Sequence, residues 1–387
     1  MVKKLAHSDG KVLLVTETPP GTPNGFGVTL QCLFQNTPHQ VLYTDASFRE
    51  HGETNEFTLA QVPYHRSKKY LLSFLTSKIP EWRNHFSKSW LRKNLLGEHS
   101  LVYAFIYSTN CLTYASWIAN QRNLPLFVHL ADHSPSFEKN PIFHIIKNCD
   151  KLICITEDMR SKYESILGRK DIEVLHNGAE SNCFHIPLPS SPPFNDENPF
   201  TLCFLGGLFS HLHGECIEDI IAAILILRKE IPWLKFDLYG QIQPINFLSE
   251  RLKTSGVTHH GVVMPLDKKY EIMEQAHCFL IPSSFKSENH ENYRYSFPTK
   301  LPELIASGRP IISYGPSNTA TNRLLAGHKL GTRINQRSVS NVVYSLSRII
   351  DRYDETLQEV SFANSKIIHS FSADKARNNL NDILNVT

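Results

Sequence analysis

The sequence predicts an α/β protein made of two doubly wound, Rossmann-like domains facing an interdomain cleft. Short apolar runs alternate with longer amphipathic ones almost throughout, which is the pattern of βα units on a parallel sheet. Residues 184–199 interrupt that rhythm once, with five prolines and two serines, a composition that forms neither strand nor helix. The 387 residues then divide into two stretches, each close to the size of an ordinary domain at about 150 to 200 residues. The expected division is 1–183, a linker at 184–199, 200–370, and a closing segment at 371–387.

In the first half, strands are expected at residues 11–16, 40–43, 101–105, 124–130, 151–156 and 172–175, the short apolar runs of that pattern. Helices separate them. The stretch Glu157 to Leu167 opens with acidic residues, which suit the positive end of a helix dipole. After the proline-rich segment the alternation resumes. Strands are expected at 200–205, 234–239, 257–262, 277–281 and 310–313, and helices at 215–230, 245–254, 267–275 and 299–307. In the helix at 215–230, Ile217, Ile220, Ile221, Ile224 and Leu225 recur at helical spacing. Three further helices, at 338–352, 355–370 and 373–384, close the chain.

Composition excludes several classes of function. A hydrophobic fraction of 41% and a charged fraction of 20% are those of a soluble globular chain. No apolar run approaches the roughly 18 residues of a membrane span, and Val12 to Val15 is too short for a secretory signal, so a cytoplasmic location is expected. A net charge of +3 is too small to argue for nucleic acid. The eight cysteines stand singly, without a C-x-x-C pair, and read as small buried thiols. The 19 histidines include His211 with His213 and His259 with His260, but no metal-ligand spacing with carboxylate or cysteine partners, so no metal is expected. Between Gln61 and Leu95, eight basic residues face one acidic residue, Glu81, with aromatic residues between them. That pattern fits a peripheral contact with an anionic membrane surface on its inner face. It equally fits a helical hairpin whose aromatic face packs on its own domain.

The most informative stretch is Phe297-Pro-Thr-Lys-Leu-Pro-Glu-Leu-Ile-Ala-Ser-Gly-Arg-Pro-Ile-Ile312. Its prolines are tolerated only near a helix start, where backbone N–H groups lack intrahelical partners and can face an anion. Ser296, Thr299 and Lys300 therefore become candidates for holding a diphosphate, with Arg294 as a second cation. Glu303, about one turn in, suits a ribose diol, and Gly308 ends the helix. Gly206 and Gly207, after the strand at 200–205, would let a phosphate approach the main chain. Asp132 and His133, past the end of the strand at 124–130, suit proton handling or sugar hydroxyls, or else simply cap a turn. Gly25 and Gly27 lie in a glycine-containing loop after the first strand that matches neither the dinucleotide fingerprint nor a P-loop, and it reads as a ligand loop or a plain turn.

With these residues in place, the chain resembles the retaining glycosyltransferases of the GT-B fold, in particular glycosyltransferase family four. The likeness is carried by Cys149-Asp-Lys-Leu-Ile-Cys-Ile-Thr-Glu157, Val174-Leu-His-Asn-Gly178, Phe204-Leu-Gly-Gly-Leu208, Leu238-Tyr-Gly240, the segment 296–312 and the closing Asn379-Leu-Asn-Asp-Ile-Leu384. The resemblance implies an N-terminal domain on the acceptor side, a C-terminal domain for the nucleotide sugar, and a last helix crossing back to the first domain. It implies that Glu303 holds the donor ribose, that Ser296 to Lys300 cradle the diphosphate, and that Asp132 or His133 meets the transferred sugar. The expected reaction moves a hexose-type sugar from a nucleotide-diphosphate donor to a hydroxyl acceptor with retention. No cofactor beyond that co-substrate is expected, and no metal, since no D-x-D sequence occurs.

Three positions depart from the family pattern. Tyr295 stands where a first glutamate is usual, and Gly207 and His213 stand where an arginine and a lysine are usual. These departures keep two alternatives open: a non-catalytic subunit that binds sugar nucleotides, and another GT-B enzyme such as a nucleotide-sugar epimerase.

Overall fold

The computed structural model describes residues 12–35, 39–44, 57–61, 88–89, 91–92, 95, 98–107, 109–133, 137–138, 143–244, 248, 250–263 and 268–385. The chain forms two compact units, residues 1–176 with 377–387, and residues 177–376.

The first unit runs β1 (Val12–Thr16), α1 (Gly25–Phe34), β2 (His39–Tyr43), β3 (Phe57–Gln61), β4 (Leu101–Ile106), α2 (Thr109–Arg122), β5 (Leu126–Leu130), α3 (Phe143–Asn148), β6 (Lys151–Cys154), α4 (Glu157–Leu167) and β7 (Ile172–Val174). Its seven strands are all parallel, in the order β3-β2-β1-β4-β5-β6-β7. The order reverses between β1 and β4, which is where ligands of open α/β sheets bind, beyond the strands' carboxyl ends. Every residue of β1, β4 and β5 is buried, as expected of parallel strands covered on both faces. Helix α4 has the bounds its sequence predicts because both ends are marked. Thr156 accepts a hydrogen bond from the Met159 N–H at 3.1 Å, and Gly168 takes the left-handed conformation at φ 68°.

The second unit runs β8 (Thr201–Leu205), β9 (Leu208–Phe209), α5 (Ser210–Leu227), β10 (Lys235–Tyr239), β11 (Ile242–Gln243), β12 (Val257–Gly261), α6 (Lys268–Gln275), β13 (Cys278–Pro282), α7 (His290–Tyr295), α8 (Leu301–Ala306), β14 (Ile311–Tyr314), α9 (Ala320–His328), β15 (Gly331–Ile334), α10 (Val339–Asp351) and α11 (Tyr353–Ser365); the last helix, α12 (Ala373–Asn385), begins in the second unit and from residue 377 belongs to the first. Six parallel strands take the order β12-β10-β8-β13-β14-β15, beside a small β11-β9 pair. The switch point here lies between β8 and β13. One face of the sheet packs Leu202, Phe204, Phe236 and Leu238 against Ile217, Ile220 and Ile224 of α5 and Leu346 and Ile349 of α10. The other packs Cys203, Phe279 and Ile311 against Met273 of α6 and Leu301, Leu304 and Ile305 of α8. Each large apolar side chain so buried contributes about 1.5 to 3 kcal/mol, and that burial sets where α8 lies against the strands.

The structure differs from the sequence reading at several places. Residues 184–199 pack onto the second unit: Phe194 is buried in its core, with its ring edge-on to Phe200, His277 and Tyr353. The helix expected at 245–254 is, among its described residues, only a 3-10 turn at Arg251–Lys253. The polar loop 282–296 holds a 3-10 turn at Ser287–Asn289 and helix α7. Strands β3 and β15 and helix α9 were not expected. Most of the basic aromatic segment 61–95 lies outside the described residues. At its end Leu91 and Leu95 are buried, and Lys88 and Arg92 lie 5.8 and 5.5 Å from the centre of the Trp117 ring of α2. All eight cysteines are buried as free thiols. No helix among the described residues is long and apolar enough to cross a membrane.

Candidate functional site

The carboxyl ends of β8 and β10 meet main chain to main chain. Gly206, just past β8, has φ 144° and donates its N–H to the Tyr239 carbonyl at 2.8 Å. Gly240, just past β10, has φ 136° and donates to the Gly261 carbonyl at 2.7 Å. A side chain at Gly240 would collide with the Gly206 carbonyl, and one at Gly206 would collide with Nζ of Lys300. Both positions therefore need glycine for space as well as conformation.

Lys300 precedes α8 and extends over this junction. Its ammonium donates to the Leu205 carbonyl and lies 4.6 Å from the centre of the Phe204 ring. Burial pulls its pKa down to about 8, against which the Cys203 and Glu303 side chains push upward. Ser296 is not an anion donor through its main chain, because its N–H closes α7 on the Asn292 carbonyl at 2.8 Å. The Leu301 N–H likewise turns back to the Pro298 carbonyl at 2.8 Å. Among the described residues, the N–H groups of Thr299 and Lys300 make no such main-chain bond. The Asn177 side chain holds the Thr299 carbonyl at 2.7 Å and so fixes this turn.

Five of the six residues of α8 are buried, and Glu303 is the sixth. Its Oε1 accepts from Nζ of Lys269, in the first turn of α6, at 2.7 Å, and the two side chains are 13% and 22% exposed. The structure thus brings Gly206, Lys300 and Glu303 together. It does not add Arg294, an exposed side chain of α7 whose guanidinium lies 5.4 Å from the centre of the Tyr295 ring. Gly207 and His213 serve the local fold. A side chain at Gly207 would strike the Phe209 ring, and Nδ1 of His213 accepts the Phe209 N–H at 3.4 Å. Burial lowers the His213 pKa to about 3, so the ring is neutral there and supplies no charge.

In the first unit, Gly25 and Gly27 fall within the first turn of α1, which Asn24 caps by accepting the Gly27 N–H at 2.9 Å. Gly27 leaves room for Thr22, on which an added side chain would collide, and its carbonyl accepts the Gly21 N–H at 3.0 Å. Asp132 is half-buried past the end of β5. His133 is buried, with Nε2 3.1 Å from Nζ of Lys162, which also pairs with Glu138 at 3.0 Å. A lysine ammonium only donates, so Nε2 is the acceptor and the neutral ring carries its proton on Nδ1. His129 is part of the core: Nδ1 meets the Tyr103 hydroxyl at 2.8 Å and Nε2 the Leu175 carbonyl at 3.0 Å.

Sequence reasoning missed Lys269 and Asn177 as parts of the site, although Asn177 stood in the Asn-Gly turn. Lys269 had no signal beyond its place at a helix start. Among the described residues no group of three or more His, Cys, Asp or Glu is placed to hold a metal ion.

Two doubly wound units, each built on a parallel sheet with a switch point, make up the GT-B fold. Residues 199–351 match the family model described as glycosyl transferases group 1. Comparison with curated proteins by sequence gave no match. Solved structures share the fold over nearly the whole chain. Anabaena Alr3699/HepE in complex with UDP-glucose aligns with a TM-score of 0.66 at 14% identity, covering 97% of this chain and 99% of that one. WaaG, a glycosyltransferase involved in lipopolysaccharide biosynthesis, gives 0.62 at 13% identity over 95% and 98%. A UDP-forming α,α-trehalose-phosphate synthase from Burkholderia xenovorans, in complex with glucose-6-phosphate, gives 0.65 at 11% identity over 97% and 100%.

Proposed function

We propose that this protein is a retaining glycosyltransferase that moves a hexose-type sugar from a nucleotide-diphosphate donor to a hydroxyl acceptor. The observation that carries the reading is the convergence, at the carboxyl end of the second sheet, of Gly206 main chain, the Lys300 ammonium and the Glu303 carboxylate. Lys300, with the Thr299 and Lys300 amides, would take the diphosphate, and Glu303 the ribose hydroxyls. Charge grows on the diphosphate as the sugar leaves, so cations and donors already aimed there lower the barrier without reorganising. This role needs no metal, and added chelator should leave turnover unchanged. Asp132, past the end of the buried strand β5, is the candidate for contact with the transferred sugar. His133 is the weaker one, because Lys162 occupies its Nε2.

The test is incubation of the full chain with mixed UDP-, GDP- and ADP-sugars and a cell extract, read by mass spectrometry. Consumption of one nucleotide sugar with a glycosylated product, lost in Glu303→Ala, is the expected result. An isomerised sugar nucleotide formed without acceptor would instead mark an epimerase. The neutral His213 favours a second reading, a non-catalytic subunit that binds the donor; saturable binding with no product from any extract would select it. The segment 61–95 fits the first reading if the acceptor is carried by a lipid at the cytoplasmic membrane face. Protein that stays at the bottom in flotation with anionic liposomes removes the membrane from the proposal.

A further inference from the structure

Glu303 is held from outside its own helix. Helix α8 has six residues and a proline in its first turn, and five of the six are buried, so the Glu303 carboxylate is its single polar projection. Nothing in so short a helix fixes the rotation of that side chain. Lys269 comes from the start of α6, 34 residues earlier in sequence, and its Nζ is 2.7 Å from Oε1. The ammonium is itself located, 5.2 Å from the centre of the Tyr270 ring. Both partners are largely withdrawn from water, so the pair is less screened than a surface ion pair.

We propose that Lys269 is a positioning residue of the donor site: by binding Oε1 of Glu303 it orients the carboxylate so that Oε2 accepts the two ribose hydroxyls of a nucleoside diphosphate. The inference rests on the donor-binding reading given above and adds a residue to it. A carboxylate has lone pairs for both partners, one oxygen facing the lysine and the other the diol. Lys269 touches neither sugar nor phosphate in this scheme, so its effect is confined to the ribose.

The experiment uses the full chain and isothermal titration. UDP, GDP and ADP are compared first, and the tightest binder is then set against its 2′,3′-dideoxy analogue in wild type, Lys269→Met, Lys269→Arg and Glu303→Gln. Wild type is expected to prefer the ribose form by roughly tenfold or more, the scale of hydrogen bonds to a charged acceptor. Lys269→Met should reduce that preference to within about twofold of unity and leave the affinity for the dideoxy form unchanged, and Lys269→Arg should restore most of it. A merely structural lysine would weaken both ligands equally, which overturns the inference. Full preference in Lys269→Met alongside lost preference in Glu303→Gln also overturns it, while the donor reading stands. If Glu303→Gln keeps the preference too, the assignment of Glu303 to the ribose fails, and Lys269 with it. Circular dichroism of each variant separates loss of fold from loss of discrimination.

Discussion

Replacing Lys300 with methionine should weaken diphosphate binding, and the pH dependence of that loss follows from where the ammonium sits. Burial against Phe204 and Leu205 holds its pKa near 8 in the ligand-free protein. At pH 7 such a group is roughly nine-tenths protonated and at pH 9 roughly one-tenth. A diphosphate favours the charged form and raises the pKa, so binding must draw protons from solution. The uptake should be roughly 0.1 proton at pH 7 and roughly 0.9 at pH 9, and above pH 8 affinity should fall by up to about tenfold per unit. At pH 7, Lys300→Met removes a charge-assisted contact of about 1.5 to 3 kcal/mol, or roughly 10- to 150-fold in Kd.

Titration calorimetry in two buffers of different ionisation enthalpy measures the uptake directly. A nucleoside without phosphates serves as the control, and the substitution should not affect it. The same burial acts on stability. The folded pKa lies below the unfolded value, so the folded chain binds fewer protons between about pH 8 and 10.5, and stability rises with pH through that window. Methionine has no charge to bury, and Lys300→Met should raise the thermal midpoint at neutral pH while it lowers affinity. Equal proton uptake in wild type and Lys300→Met at pH 9 would refute the assignment of Lys300 to the diphosphate.

Two further outcomes follow from packing. Gly206→Ala places a methyl group on Nζ of Lys300 at a φ of 144°; it should cost about 1 to 3 kcal/mol of stability in a denaturant titration and abolish most diphosphate affinity. Burial lowers His129 to about pKa 3 and His277 to about pKa 4, so both stay neutral when folded. The unfolded chain binds the protons they refuse, and stability is lost as pH falls below about 6.5, by about 2 kcal/mol each at pH 5. A urea midpoint that stays constant from pH 7 to 5 would contradict this.

Much of the fold was legible because burial in a parallel sheet leaves a one-dimensional trace. Residues 152–154 and 202–205 are runs of apolar side chains, and α4 carries its cap and its glycine at either end. The missed elements lack that trace. β15, Gly-Thr-Arg-Ile, has one buried residue in four and pairs with a single neighbour, β14, at the sheet edge. The helix expected at 245–254 is, in its described part, a single 3-10 turn. The candidate site shows in the sequence only as an order of residue types from Ser296 to Gly308. What could not be read was which side chains would meet: Lys300 with Gly206, and Lys269 with Glu303, pair across 94 and 34 positions. Spacing of that length is set by the topology of the sheet.

Of the three positions that depart from the pattern the chain resembles, two, Gly207 and His213, both meet Phe209. Gly207 makes room for the Phe209 ring, and His213 receives the N–H of that same residue, so the two are local partners. A cation at 213 would sit in the buried volume where imidazole is neutral, beside the Lys300 charge that already helps keep it so. Two ammonium groups a few ångströms apart in a low-dielectric pocket repel by several kcal/mol unless an anion lies between them. With histidine there, Lys300 has no second ammonium beside it, and in the proposed role it would act without the arginine and the lysine of the pattern that the chain resembles. Restoring the usual residue by His213→Lys should therefore lower stability in the absence of ligand. It should tighten diphosphate binding only if the new ammonium can reach the same phosphoryl oxygens as Lys300. A variant that gains affinity with no loss of stability would show that the pocket is wetter than its packing implies.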